Sequence, residues 1–158
     1  MINLKKEAIK YGINEKRMVF ASHMPVEDHL NRLQLADLFI DTLPYNAHTT
    51  SSDALRMGLP VLTCLGESFA SRVAASLLNA VGMTELITTS DEDYASLAIE
   101  LALNPKKYKS VKDKLVSNIS SAPLFKIKKF TKHLESAYLE MYEKNLDDIK
   151  ADHIYIKE

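Results

Sequence analysis

Residues Asp41 to Leu59 read DTLPYNAHTTSSDALRMGL, a run in which a strand ends, a loop turns and a helix begins. Thr49, Thr50, Ser51, Ser52 and Asp53 are N-cap and first-turn residue types, and Gly58-Leu59-Pro60 stops the helix. A helix start exposes unpaired backbone N–H groups and a partial positive charge, so it can hold a phosphate without a lysine. Thr49 and Thr50 add hydroxyls. Asp53 follows on the same helix face, where its carboxylate can accept hydrogen bonds from a sugar hydroxyl. One helical turn can thus read a diphosphate and a ribose. The same residues are also ordinary caps, and this segment alone leaves the two readings level.

A second pair sits upstream. His29 and Arg32 fall at helical spacing on one face of a predicted helix over Val26 to Leu35. An imidazole ring and a guanidinium plane both stack on a flat base, and Arg also donates to a carbonyl. Ion pairing with Glu27 or Asp28 is the plainer alternative. Arg72, early in a helix predicted over Phe69 to Val81, can meet a phosphate or form a structural ion pair, and ranks below Asp53.

The elements that must carry these residues alternate. Apolar runs at Arg17–Ala21, Ala36–Ile40, Pro60–Cys64 and Glu85–Ile87 read as strands. Helical periodicity marks the segments between them, then a helix from Ser90 to Leu101, a lysine-rich one from Asn104-Pro105 towards Ser117, and a long one from Lys126 to about Lys144. Strands alternating with helices make an α/β domain with a mainly parallel sheet, whose ligands gather at the carboxyl ends of strands. The chain opens on a helix, Ile2–Tyr11, with no strand leading into it, as if it began inside a larger fold. Residues 1–146 read as one domain and 147–158 as a polar tail.

At 158 residues with 46% hydrophobic and 26% charged residues, the chain suits one globular domain. A formal net charge of -1 gives no global basic excess for nucleic acid. No apolar run approaches a membrane span, and Met1 to Lys6 lacks a secretory leader, so the expectation is a cytoplasmic protein. Cys64, the sole cysteine, lies in an apolar run and reads as a buried strand residue.

The segments DTLPYNAHTTSSDAL, GLPVLT, GESFASRVAASLL and ELI, in that order, resemble the C-terminal half of the catalytic region of the O-GlcNAc transferase family. The likeness runs from about Lys16 to Tyr142. It implies half of a GT-B fold, a Rossmann-like three-layer α/β/α domain that binds a UDP-sugar and transfers GlcNAc, or in some relatives glucose, to protein side chains. By that resemblance His29 and Arg32 meet uracil, His48, Thr49 and Thr50 the diphosphate, and Asp53 the ribose. No general base is assigned, since His48 can equally hydrogen-bond the diphosphate. No cofactor or metal is expected. The implied partners are a UDP-sugar, a protein or peptide acceptor, and the N-terminal half of the catalytic region with helical repeats upstream; nucleic acid and membrane are not among them. Two departures stand out: relatives often carry a ribose-contacting lysine where this chain has Val26, and an aromatic where it has Arg56. The alternatives are a non-catalytic UDP-binding module and, behind it, a receiver-like signalling domain with Asp41 as phosphoacceptor.

Overall fold

The structure is a computed structural model that describes residues 2–156. Met1, at the start of the expected domain, and Lys157 and Glu158, at the end of the expected tail, lie outside the described residues. Three short parallel strands, β1 (Phe39–Ile40), β2 (Val61–Cys64) and β3 (Ile87–Thr88), form a sheet in the order β1-β2-β3. Phe39 pairs with Val61 and Thr63 with Ile87. All four residues of β2 are buried, so its alternating side chains are covered on both faces, as a central parallel strand requires.

The helices are α1 (Ile2–Lys10), α2 (Val26–Leu33), α3 (Thr49–Arg56), α4 (Val73–Ala80), α5 (Asp91–Leu103), α6 (Pro105–Ile119) and α7 (Ile127–Leu146). Right-handed crossovers put α3 and α4, which pack together, on one face of the sheet. That leaves α5, packed on β2 and β3, to cover the other. The Rossmann-like α/β architecture is therefore present. Leu55, Val61, Leu78, Met83, Leu86 and Leu115 are fully buried and tie α3, β2, α4 and α6 into one core. Replacing one such leucine by alanine costs about 2–5 kcal/mol.

Local signals explain most boundaries. Gly58, at φ 74°, closes α3 in the left-handed conformation a glycine adopts freely, and Leu59 N–H returns to the Ala54 carbonyl at 2.9 Å. Ser90 caps α5 through Asp93 N–H, and Asn104 caps α6 through Lys107 N–H with Pro105 in its first turn. Cys64 is buried and unpaired.

Four expected boundaries are corrected. Arg17–Ala21 is not a strand: Glu15–Arg17 is a 3₁₀ turn, and the segment after it runs extended with no ladder. Its side chains alternate as in a strand, with Met18 and Phe20 half-buried and Val19 88% exposed, but no neighbouring strand pairs with it. The strand expected at Ala36–Ile40 shrinks to Phe39–Ile40, because the Leu35 and Ala36 N–H groups close turns onto Arg32 and Leu33. Phe69–Ser71 is a 3₁₀ turn capped by Ser68, so α4 starts at Val73. Thr84–Leu86 is likewise a 3₁₀ turn, which moves β3 to Ile87–Thr88.

The two arms differ from this body. Neither α1 nor α7 has a buried residue, and α7 packs on the Pro123–Phe125 turn that leads into it. Among the described residues no helix is long and apolar enough to cross a membrane.

Candidate functional site

The carboxyl edge of the sheet is held by Asp41. It follows β1 directly and is 3% exposed, so a carboxylate there must be satisfied internally. Oδ1 accepts from Thr42 N–H at 2.8 Å and Ala47 N–H at 2.7 Å, and Oδ2 accepts from the Thr63 hydroxyl at 2.7 Å. Thr63 in turn accepts from the Thr88 hydroxyl at its carbonyl, and the Asp41 carbonyl accepts from the Tyr94 hydroxyl. One aspartate thereby joins the ends of all three strands and the start of α5. Burial, then the charge of Asp41, then Cys64, push the Tyr94 phenol up to about 12, so it stays a proton donor well past neutrality.

Fixed at both ends, the loop from Thr42 to His48 has little freedom. It includes a cis Leu43-Pro44 bond, a Thr42 hydroxyl donating to the Tyr45 carbonyl, and an Asn46 amide donating to the Thr42 carbonyl. Asn46 N–H also reaches across to the Ala70 carbonyl at 3.1 Å. The loop delivers His48, Thr49 and Thr50 to one open cleft of about 550 Å³, which Asp41, Tyr45 and Asn46 also line. Thr49 and Thr50 are exposed at the first turn of α3, so their hydroxyls and N–H groups face a space an anion can enter.

His29 and Arg32 meet on α2, where Arg32 Nη2 lies 2.7 Å from His29 Nδ1. A guanidinium only donates, so Nδ1 accepts and the imidazole proton sits on Nε2. Arg32 Nη1 also donates to the Ser22 carbonyl at 3.0 Å, which anchors the unpaired segment before α2. No ion pair from Arg32 to Glu27 or Asp28 forms. The two helices α2 and α3 pack side by side, with their C-terminal ends meeting around Leu33, Met57 and Lys112. His29 lies midway along α2 and Arg32 in its last turn, whereas His48, Thr49 and Thr50 stand at the start of α3. Only His48, Thr49 and Thr50 share the cleft itself; Asp53 is half-buried one turn further along α3. Arg72 forms no ion pair among the described residues: Nη1 donates to the Gly66 carbonyl at 3.1 Å and clasps the loop after β2. Gly66 has no room for a side chain, since a Cβ would lie 2.4 Å from the Ser71 hydroxyl.

Against known proteins, the sequence model of glycosyl transferase family 41 matches residues 1–134. The chain belongs to that family. It is 33% identical to the UDP-N-acetylglucosamine–peptide N-acetylglucosaminyltransferase of Caenorhabditis elegans over 96% of its own length and 13% of that protein's. It is 32% identical to the probable enzyme of the same name, SEC, from Arabidopsis thaliana, over 96% of this chain and 16% of that one. A mutant O-GlcNAc transferase from Thermobaculum terrenum superposes with a TM-score of 0.79 at 32% identity, over 89% of this chain and 27% of that structure. This family 41 chain thus spans about an eighth to a quarter of the length of the relatives it matches.

Within a family 41 chain the receiver reading of Asp41 falls, and the geometry says why: a phosphoacceptor must be open, and both oxygens of Asp41 are buried and engaged. Among the described residues no group of three His, Cys, Asp or Glu side chains is gathered so that it could hold a metal ion. The role of Asp41 was not read from sequence, although an Asp ending a strand before a short polar loop is a recurrent side-chain-to-backbone cap. Arg56 is exposed and lies outside the packed side of α3, which is formed by Ser51, Ala54 and Leu55.

Proposed function

We propose that this chain is the UDP-sugar-binding half of a protein glycosyltransferase that works in the cytoplasm and moves GlcNAc from UDP-GlcNAc to peptide side chains. His29 and Arg32 take the uracil, His48, Thr49 and Thr50 the diphosphate, and Asp53 the ribose. The observation that carries the reading is the rigid loop at Asp41, which opens the first turn of α3 and its two threonines to a cleft in a family 41 chain. In the reaction the acceptor hydroxyl oxygen bonds to the anomeric carbon as the bond from that carbon to the diphosphate oxygen breaks. Charge then grows on the departing UDP, where a helix start stabilises it most.

The remaining part of the catalytic region is the partner we assign to α7. The apolar face of that helix, with Phe130, Leu134 and Tyr138, is exposed along its length, and the matched relatives are several times longer than this chain. With one wall of the cleft alone, reactants are not positioned against each other, and such positioning is worth about 7–11 kcal/mol. The chain by itself should bind UDP and transfer no sugar. A second reading, a UDP-binding module without catalysis, draws on Val26, an apolar side chain 74% exposed at the start of α2 beside the uracil pair.

Calorimetry with UDP and 2′-deoxy-UDP tests the assignment. Asp53→Ala should weaken UDP more than the deoxy ligand, which lacks the hydroxyl that Asp53 accepts from. Equal losses for both ligands would remove Asp53 from the ribose.

A further inference from the structure

His48 is held by its neighbours' rings rather than by hydrogen bonds. It is the N-cap of α3, yet its side chain makes no capping bond. Its one polar contact, Nε2 to the Ala70 carbonyl, is 3.4 Å long, beyond the usual range for a firm hydrogen bond. Tyr45 stacks on it instead, with ring centroids 5.1 Å apart and planes 17° from parallel. Phe69 meets it edge-on at 6.1 Å and 85°. Both geometries are favoured ones for aromatic pairs. Core packing does not explain the two outer rings, because Tyr45 is 65% and Phe69 82% exposed.

The backbone beneath Tyr45 is fixed. Its carbonyl accepts from the Thr42 hydroxyl, and the next residue, Asn46, is bonded to Ala70, the residue after Phe69. The two aromatic residues are therefore brought against one imidazole by a backbone bond between their own loops.

We propose that Tyr45, seconded by Phe69, is a positioning residue that sets the plane of the His48 ring before a diphosphate arrives. The proposal rests on the function proposed above. A side chain ordered in advance loses less freedom on binding, so a bound diphosphate gains affinity through His48 without touching Tyr45. A stacked pair of this kind corresponds to a change in affinity of about twofold to tenfold.

The test uses the full chain with Tyr45→Leu, Tyr45→Phe, His48→Ala and the Tyr45→Leu/His48→Ala double variant. Proton NMR of the His48 ring is recorded without ligand, and calorimetry is run with UDP and with uridine. Tyr45→Leu should move the His48 ring-proton resonances by removing the ring current, and weaken UDP about twofold to tenfold with uridine unchanged. Tyr45→Phe, which keeps the ring, should restore both readouts. In the His48→Ala background, Tyr45→Leu should cost nothing further. An unaltered His48 spectrum in Tyr45→Leu would overturn the clamp. Additive losses, or equal losses of UDP and uridine, would overturn its role in diphosphate binding. An unsubstituted chain that ignores UDP would overturn the proposed function and the ligand part of this inference together, while the ring-proton shifts would still decide whether the clamp exists.

Discussion

The loop after β1 and the helix α7 both expose aromatic side chains, and they do so for opposite reasons. At the loop, Tyr45 stands on a backbone fastened by Asp41, Thr42 and Asn46, and its ring packs on His48. Along α7, Phe130, Tyr138 and Tyr142 are exposed on a helix with no buried residue. The first region is fastened from below and lines an opening; the second packs on the turn that leads into it. Exposure alone therefore does not mark a site, and the polar bonds beneath the exposed ring separate the proposed binding edge from the proposed interface.

The comparison breaks most sharply if Asp41 is removed. Asp41→Ala takes the acceptor from the buried Thr63 hydroxyl, at about 1–3 kcal/mol, and from two part-buried N–H groups that hold the loop. The chain should melt far earlier in denaturant, and UDP should no longer bind the folded fraction. A midpoint close to that of the unsubstituted chain would mean the loop does not depend on its aspartate. Thr63→Val, nearly the same shape, removes one of those bonds and should cost about 1–3 kcal/mol. Urea titration of the variant measures it.

Tyr94 sharpens the comparison through pH. Its folded value near 12 lies above the ordinary 10, so the folded state favours the neutral phenol. That contribution is fully present below pH 10 and is lost as pH rises towards 12. Stability measured across this window should fall for the unsubstituted chain and fall less for Tyr94→Phe. An identical slope in both would detach Tyr94 from the Asp41 carbonyl.

The smallest effect on stability belongs to α7. Phe130→Glu with Tyr138→Glu should change the folding free energy by no more than about 0.5 kcal/mol, since neither side chain is buried. Sedimentation should nonetheless show less self-association at high concentration, because the exposed apolar face is what the isolated chain has to hide. Loss of folding in this variant would place the two rings within the chain's own core.

Much of the α/β alternation was legible because its signals are local. Asn104-Pro105 and Gly58 mark the start of α6 and the end of α3 by capping chemistry alone, whereas α3 starts after His48 with no side-chain cap, and the apolar stripe of α7 follows from periodicity. The strand at Arg17–Ala21 was misread because alternation describes a half-buried extended chain whether or not a partner strand exists. Strand lengths suffered for the same reason: ladders are set by neighbours distant in sequence. Thr49 and Thr50 were readable as candidates from a helix start, and His48 only through the family resemblance. The bonds that make their loop rigid were not, since they join Asp41 to Thr63 and to Tyr94, 22 and 53 residues away.

Chemical-shift mapping of the whole chain with UDP tests the central claim most directly. If the carboxyl edge is a preformed nucleotide-diphosphate site, perturbations should centre on His29, Arg32, His48, Thr49, Thr50 and Asp53, with α7 silent. Perturbations confined to α7 and the residues after it, with none at Gly66 or earlier, would contradict the account.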